Sequence, residues 1–329
     1  MPPEDFSPYV AALGRGPGKS RALTRAEARA AFGMVLAGDV DPHQLGAFLM
    51  LLRYRGEDAD EITGVVEAMQ AALPALPGAD LDWPSYGAGK TRDLPWFLLA
   101  ALALGQSGTR VLMHGTNAFG TAVPVAAALN ALGFAAAHDA DSAAGSLDRD
   151  GFAYLPIETF APGVARLLDL RRLFGLRSPV NTAVRLLDPV RAPAGVDGVF
   201  HPAYLEVHLG VAERLGRPRL VVLKGGGGEA ERSPAKAGVA HVWDAAAGRG
   251  TVDLPAMPLG DEGAALDPMT LFRGVWCGEL LHARGVGIVQ ATIGLALLAT
   301  GRFRDAASAD AEAVLIWAAR RHGARRGWT

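Results

Sequence analysis

The residues with the most chemical potential lie in 220–234, LVVLKGGGGEAERSP, where a short apolar run gives way to Lys224, four glycines, and then Glu229, Glu231 and Arg232. Residues 220–223 are too few for a helix and show no polar alternation, so they read as a parallel strand buried on both faces. Ligands of open α/β sheets bind at the carboxyl ends of such strands. Gly225, Gly226, Gly227 and Gly228 have no Cβ to keep a ligand from the backbone, and Lys224 adds a cation; a surface turn is the other reading of a glycine run. A second chemistry is carried by arginine. Arg15, Lys19, Arg21, Arg25 and Arg29 form one basic cluster, Arg166, Arg171, Arg172, Arg177, Arg185 and Arg191 a second, and Arg320, Arg321, Arg325 and Arg326 a third. The planar, permanently charged guanidinium suits phosphate oxygens, so these clusters make a nucleic-acid surface if they fold together and three solvated faces if they do not. Two phosphate-loop look-alikes fail: GRGPGKS at 14–20 and GAGKT at 87–91 have Leu13 and Pro84 where a Walker loop needs its first glycine.

The elements that must position these groups are legible in outline. The chain has 329 residues, 50% hydrophobic, with a net charge of −2, enough to bury a large core in one to three domains. One cysteine, Cys277, excludes an internal disulfide, and no Cys/His cluster suggests zinc. With no signal-peptide pattern at the start, and an apolar stretch at 286–301 too short for a span of about 20 residues, the expectation is a cytoplasmic protein without membrane contact. Ser7-Pro8 reads as the start of a helix to about Leu13. Thr24 with Glu27 starts a second to about Ala37, Asp41-Pro42 a third ending before Gly56, and Asp58 a fourth. Strands near 83–86 and 111–113 then alternate with helices from about 94 and 122, the layout of a doubly wound α/β domain. Val164, Leu167 and Leu168 make an apolar helical stripe on which Arg171 also falls, so Arg171 needs a carboxylate, a phosphate or a ligand as partner. His114, alone after a strand, is an acid–base candidate whose other reading is a structural hydrogen-bonding residue.

The order of these motifs resembles the anthranilate phosphoribosyltransferase and pyrimidine nucleoside phosphorylase family, glycosyltransferase family 3. Four capped helices are followed by a glycine loop (Tyr86, Gly87, Ala88, Gly89, Lys90, Thr91), a His-Gly loop (His114, Gly115, Thr116, Asn117), an Arg-rich helix pair and the strand at 220. More narrowly, GVFHP at 198–202 and KGGGGEAERSP at 224–234 resemble the YbiB branch, associated with nucleic-acid binding. The resemblance implies an α/β fold of the nucleoside phosphorylase/phosphoribosyltransferase catalytic-domain type, with a small discontinuous helical domain plus a larger doubly wound α/β domain. Residues 1–76, completed by inserted helices 161–190, would form the first, and 77–160 with 191–329 the second. It also implies a ligand cleft between the two and a homodimer through the N-terminal helices.

Carried over residue by residue, the resemblance makes Gly87 to Thr91, His114 to Asn117 and Lys224 to Gly228 phosphate or ligand loops. It makes Arg171, Arg172, Arg177, Arg185 and Lys224 acceptor- or nucleic-acid-binding residues, and Glu229 with Glu231 the remnants of a magnesium site. The departures from the family pattern are as specific. The family's hydroxyl-bearing run is Leu94-Pro95-Trp96-Phe97 here, two loop cations are replaced by Met113 and Asn117, and paired magnesium carboxylates by Gly226 and Ala230. Two function classes follow. One is a nucleic-acid-binding homodimer with a depleted phosphoribosyl diphosphate site, needing no cofactor. The other is a phosphoribosyl or glycosyl transferase or phosphorylase acting on a nucleotide or ribose-phosphate, with Mg2+; anthranilate transfer is not expected from either.

Overall fold

The N-terminal helices start where their caps lie. The computed structural model describes residues 5–16, 18–87, 94–116, 123–260 and 266–321. Helix α1 (Ser7–Gly14) has proline in its first turn, and the Asp5 carboxylate, rather than the Ser7 hydroxyl, accepts the Ser7 N–H at 2.9 Å. Thr24 and Glu27 close a reciprocal capping box on α2 (Arg25–Ala37), Asp41 caps α3 (Pro42–Arg55), and Asp58 with Glu61 boxes α4 (Ala59–Ala71). Each box satisfies amides that the first helical turn leaves open.

The chain then alternates: β1 (Leu81–Ser85), α5 (Trp96–Gln106), β2 (Val111–Gly115), α6 (Val125–Ala131), α7 (Ala140–Asp150), β3 (Phe152–Pro156), the short α8 (Ile157–Phe160), and the inserted helices α9 (Pro162–Phe174) and α10 (Val180–Ala183). β4 (Ala194–Val199), α11 (Ala203–Leu215) and β5 (Arg219–Lys224) complete the parallel part. A hairpin, β6 (Gly238–Asp244) and β7 (Gly248–Leu254), precedes α12 (Pro268–Cys277), α13 (Ala283–Ala299) and α14 (Ala306–Ala319). The sheet has seven strands in the order β3-β2-β1-β4-β5-β6-β7. The strand at 220 is therefore parallel to β4 on one side but antiparallel to β6 on the other, which corrects the all-parallel expectation. Both of its faces are covered by core all the same, Val221 and Leu223 on one and Leu220 and Val222 on the other, which is why its apolar run is uninterrupted.

Alternate residues of the strands feed two cores. Leu81, Trp83, Val111, Met113 and Val221 face α5, α13 and α14, while Leu112, Ala153, Leu155, Leu220 and Val222 face a core shared with α2, α3, α4, α9 and α11. The N-terminal helices and the inserted ones thus pack into a single apolar mass with one sheet face. Helix α4 lies against both α2 and α11. Its Gln70 Nε2 donates to the Leu187 carbonyl at 2.8 Å, just past α10. Among the described residues, no helix is long and apolar enough to cross a membrane.

Candidate functional site

Strands β1, β2, β4 and β5 run parallel, so their carboxyl ends meet at one edge, and the order reverses between β1 and β4. The glycines there serve the chain's own folding. A Cβ on Gly225 would stand 1.7 Å from the Glu229 carbonyl oxygen and one on Gly198 2.1 Å from it, while Gly227 and Gly228 have φ of 65° and 79°. The run folds back in a tight turn, and close approach is made by the backbone of Glu229 instead of by a ligand. That turn drives two carboxylates inward. Glu229 Oε1 accepts the Gly87 N–H at 2.6 Å, and Glu231 Oε2 accepts the Phe97 N–H at 3.0 Å in the first turn of α5. Amides of a glycine loop and of a helix N-terminus are the groups that hold phosphates, and here buried carboxylates sit on them. Both acids face amide donors.

Beneath this edge lies a buried charge network. Tyr86 Oη is 2.8 Å from His114 Nδ1, His114 Nε2 is 3.1 Å from Asp82 Oδ1, Asp82 Oδ2 accepts from Arg217 Nη2 at 3.0 Å, and Arg217 Nε is 3.3 Å from Asp188 Oδ2. A second branch places Asp197 2.6 Å from His208 and 3.5 Å from Arg185. Burial acts to raise the pKa of Asp82, but His114 and Arg217 outweigh it and hold the group below the usual carboxylate range. Asp188 goes the other way: burial, opposed by Arg217 and reinforced by Asp82, pushes it up to about 6. Burial also lifts the Tyr86 phenol well above its ordinary value, so it stays protonated.

Beside the network lies a cavity of about 100 Å³ between the end of α3, the α9–α10 segment, the β4 end and α11. Arg53, Arg171, Arg177 and Arg185 line it, with Glu57, Tyr86, Phe200 and Tyr204. Arg53 Nη1 donates to Tyr204 Oη at 2.7 Å, and Glu57 Oε1 accepts from Thr182 Oγ1 at 2.9 Å and Tyr204 Oη at 3.2 Å. Arg185 Nη1 is turned inward onto the carbonyls of Gly228 and Gly198 at 2.6 and 3.2 Å. Arg177 has no hydrogen bond or ion pair among the described residues. Burial lowers its pKa, and Arg171, Arg185 and Arg53 lower it further. A half-buried cation with cationic neighbours lowers its electrostatic energy when negative charge is brought near.

Residues 7–73 match the Glycosyl transferase family, helical bundle domain, and residues 97–269, more than half of the chain, match the Glycosyl transferase family, a/b domain. The anthranilate phosphoribosyltransferase of Moorella thermoacetica is 31% identical over 290 residues, covering 85% of each chain. The chain belongs to the anthranilate phosphoribosyltransferase-like glycosyl transferase family. The enzyme of that name from Beijerinckia indica is 33% identical over 231 residues, which span 68% of this chain but only 65% of the relative. Among solved structures, anthranilate phosphoribosyltransferase from Thermus thermophilus superposes with a TM-score of 0.77 at 23% identity, covering 95% of this chain and 94% of that one. The Saccharomyces cerevisiae protein in complex with PRPP and Mg gives 0.74 at 17% identity, over 95% and 93%. At those identities the likeness concerns the fold.

Within this family fold the residues singled out by sequence separate into groups. Arg171 and Arg177 reach the cavity, and Arg185 lines it from inside the core. Arg172 is exposed outside it, 3.8 Å from Asp169. Lys224 is exposed at the end of β5. His114 is fully buried and, among the described residues, is linked to the cavity through Tyr86. Gly115 packs against Ser85, where a Cβ would stand 1.7 Å from its carbonyl oxygen, and the Thr116 hydroxyl bonds Glu158. Ala88, Gly89, Lys90, Thr91 and Asn117 lie outside the described residues, as do Arg325 and Arg326. The three basic clusters do not share one role. Arg21 and Arg25 pair with Glu27 and Glu67, and Arg320 is buried 3.4 Å over the Trp317 ring, donating to the carbonyls of Val275 and Trp276. Sequence reasoning missed Arg53, Glu57, Asp82, Asp197 and Arg217. For Asp82 and Asp197 a signal existed, a lone carboxylate inside a short apolar strand.

Proposed function

We propose that this chain is a YbiB-like member of the family that binds the phosphate backbone of nucleic acid at the arginine-lined cleft, and that it does not transfer phosphoribosyl groups to anthranilate. The observation that carries the reading is Arg177, a half-buried guanidinium whose charged neighbours are Arg171, Arg185 and Arg53, with no carboxylate partner among the described residues. The state of the strand-end crevice supports it. Carboxylates occupy the Gly87 and Phe97 amides, and Trp96 and Phe97 are core residues where a diphosphate-binding loop needs hydroxyls. Backbone contact dominates on this reading, since phosphate contacts position a strand without reading its sequence. A gel-shift titration over salt tests this. Affinity should fall steeply as salt rises, and in Arg177→Gln, which can no longer neutralise its phosphate, the slope should be smaller by about one. No retardation at low salt overturns the reading, as does tight PRPP–magnesium binding with anthranilate turnover.

The same proposal includes a homodimer through the helical side. Tyr54 on α3 and Leu173 on α9 are 91% and 79% exposed, on helices whose Gly46 and Phe174 are neighbours, and large apolar side chains so exposed are suited to an interface. Sedimentation of the Tyr54→Arg, Leu173→Arg double variant as a monomer, against a wild-type dimer, checks it. One observation favours a second reading, a transferase or phosphorylase for a small anionic acceptor. The cleft narrows to a cavity of about 100 Å³ walled by Tyr86 and Tyr204, which suits a small molecule. Turnover of a ribose-phosphate substrate by a protein that fails to retard nucleic acid would establish that reading instead.

A further inference from the structure

We propose that the cavity is a phosphomonoester site, taking the terminal phosphate of a nucleic-acid strand in preference to an internal phosphodiester. The proposal rests on the reading of the cleft as a nucleic-acid site and narrows it to strand ends. Three observations lead to it, and each concerns the cavity's interior.

The first is size. The cavity holds about 100 Å³, less than the roughly 150 Å³ that accommodates a benzene molecule. A phosphoryl group enters such a space. A continuous sugar–phosphate chain, with a nucleoside on each side, meets the same space only by bending past its mouth and reaches less deeply than a chain end does. The second is charge. Arg53, Arg171 and Arg177 face the cavity, and Arg185 backs it with its charge already engaged by Asp197 and Glu229. Among the described residues Glu57 is the one carboxylate lining it, and the hydroxyls of Thr182 and Tyr204 already hold that carboxylate. The repulsion that lowers the Arg177 pKa is relieved in proportion to the negative charge brought in. A phosphate monoester carries about −1.5 to −2 at pH 7, against −1 for a diester, and offers three terminal oxygens to planar guanidinium forks. The third is the wall. Phe200, 48% exposed, and Tyr204 stand on the β4–α11 side, where a terminal base leaving the cavity would find aromatic surface to stack on. An internal base, held between two neighbours in its own strand, gains less from the same surface.

The chemistry recognised is the monoester dianion, and it has two sources, a strand end or a free nucleotide. Fluorescence anisotropy separates them. One labelled oligonucleotide is compared with a 5′-phosphate, a 3′-phosphate or hydroxyl ends, alongside a circular strand of the same length, with 5′-AMP and inorganic phosphate as competitors. The expected result is binding at least about tenfold tighter to a phosphorylated end than to hydroxyl ends or the circle, a gap of about 1.4 kcal/mol. Inorganic phosphate should close that gap, and Arg177→Gln should abolish it, with Arg177→Lys retaining part of it. The wild-type comparison decides the matter without any variant. Equal affinity for phosphorylated, hydroxyl-ended and circular strands overturns the terminal-phosphate inference and leaves the cleft as a backbone site. Binding of none of the strands overturns the nucleic-acid reading itself. In that case saturable 5′-AMP binding that Arg177→Gln removes supports a monoester site supplied by free nucleotides, and its absence overturns the site altogether.

Discussion

The strand-end crevice and the arginine cleft are bridged by Arg185 and treat charge in opposite ways. In the crevice the buried charges are answered from within. Glu229 and Glu231 sit on backbone amides, Asp82 is shared by His114 and Arg217, and Asp197 by His208 and Arg185. In the cleft, Arg177 is left among cations. Buried groups that complete one another hold a fold together, while a charge left unanswered at a cavity wall is, on the proposed reading, available to a ligand. Substitutions should therefore divide cleanly, with crevice residues acting on stability and cleft residues on binding.

The largest effect is expected at Arg217. Replacing it with Ala strands Asp82 and Asp188, both buried, and removal of one partner from a buried ion pair costs about 3–5 kcal/mol. Urea denaturation should show that loss, while the folded protein keeps its salt-dependent nucleic-acid affinity. A loss of affinity without loss of stability would mean the network belongs to the site after all.

The next contrast is a dependence on pH. Asp188 has a folded pKa near 6, above its unfolded value of 3.8, so between these pH values the native state holds a proton that the unfolded chain has released. Stability from this group is fully present below about pH 4 and is lost as pH rises through 6, on the order of 2–3 kcal/mol. Asp82, held low, acts in the opposite direction and only below its ordinary range. Asp188→Asn keeps an acceptor for the Ala192 N–H and tolerates the left-handed backbone, φ 41°. Its unfolding curves between pH 4 and 7 should be flatter than wild type; an unchanged slope would assign the titration elsewhere.

These groups also mark what could be read from sequence. The helix starts at Thr24, Asp41 and Asp58 were legible because a cap is a contact between residues two or three apart. The hairpin of β6 and β7 was not, since GRGTVDL is mostly solvent-exposed and carries little apolar alternation. Arg217 with Asp82 was hidden for another reason: the partners are 135 residues apart, and only the fold brings them together. Arg320 shows the hazard of counting charges along the chain. It stands in a basic terminal run yet is a core residue whose guanidinium covers Trp317 and binds carbonyls. The glycines at 225–228 were correctly placed at a strand end, but the backbone they admit is that of Glu229.

A smaller effect tests the crevice directly. Glu229→Gln keeps an acceptor for the Gly87 N–H but replaces a charge-assisted bond with a neutral one and removes a partner of Arg185, for a loss of about 1–3 kcal/mol. Thermal melting should report it, with nucleic-acid binding intact. If the variant instead gains affinity for inorganic pyrophosphate, the carboxylate was occupying an anion site that the fold still retains.

The smallest change in stability, and the one that most sharpens the comparison, is expected at Arg177. Its guanidinium makes no hydrogen bond or ion pair among the described residues, and its neighbours Arg171, Arg185 and Arg53 repel it. Arg177→Gln therefore removes repulsion and little else from the free protein, and its stability should stay within about 0.5 kcal/mol of wild type or rise. Stability and binding should then move apart: a melting temperature unchanged or higher, together with weaker nucleic-acid affinity and a shallower salt dependence. A clear drop in melting temperature would show that Arg177 has a structural partner, and the distinction between the sealed crevice and the open cleft would fail at the residue on which it depends most.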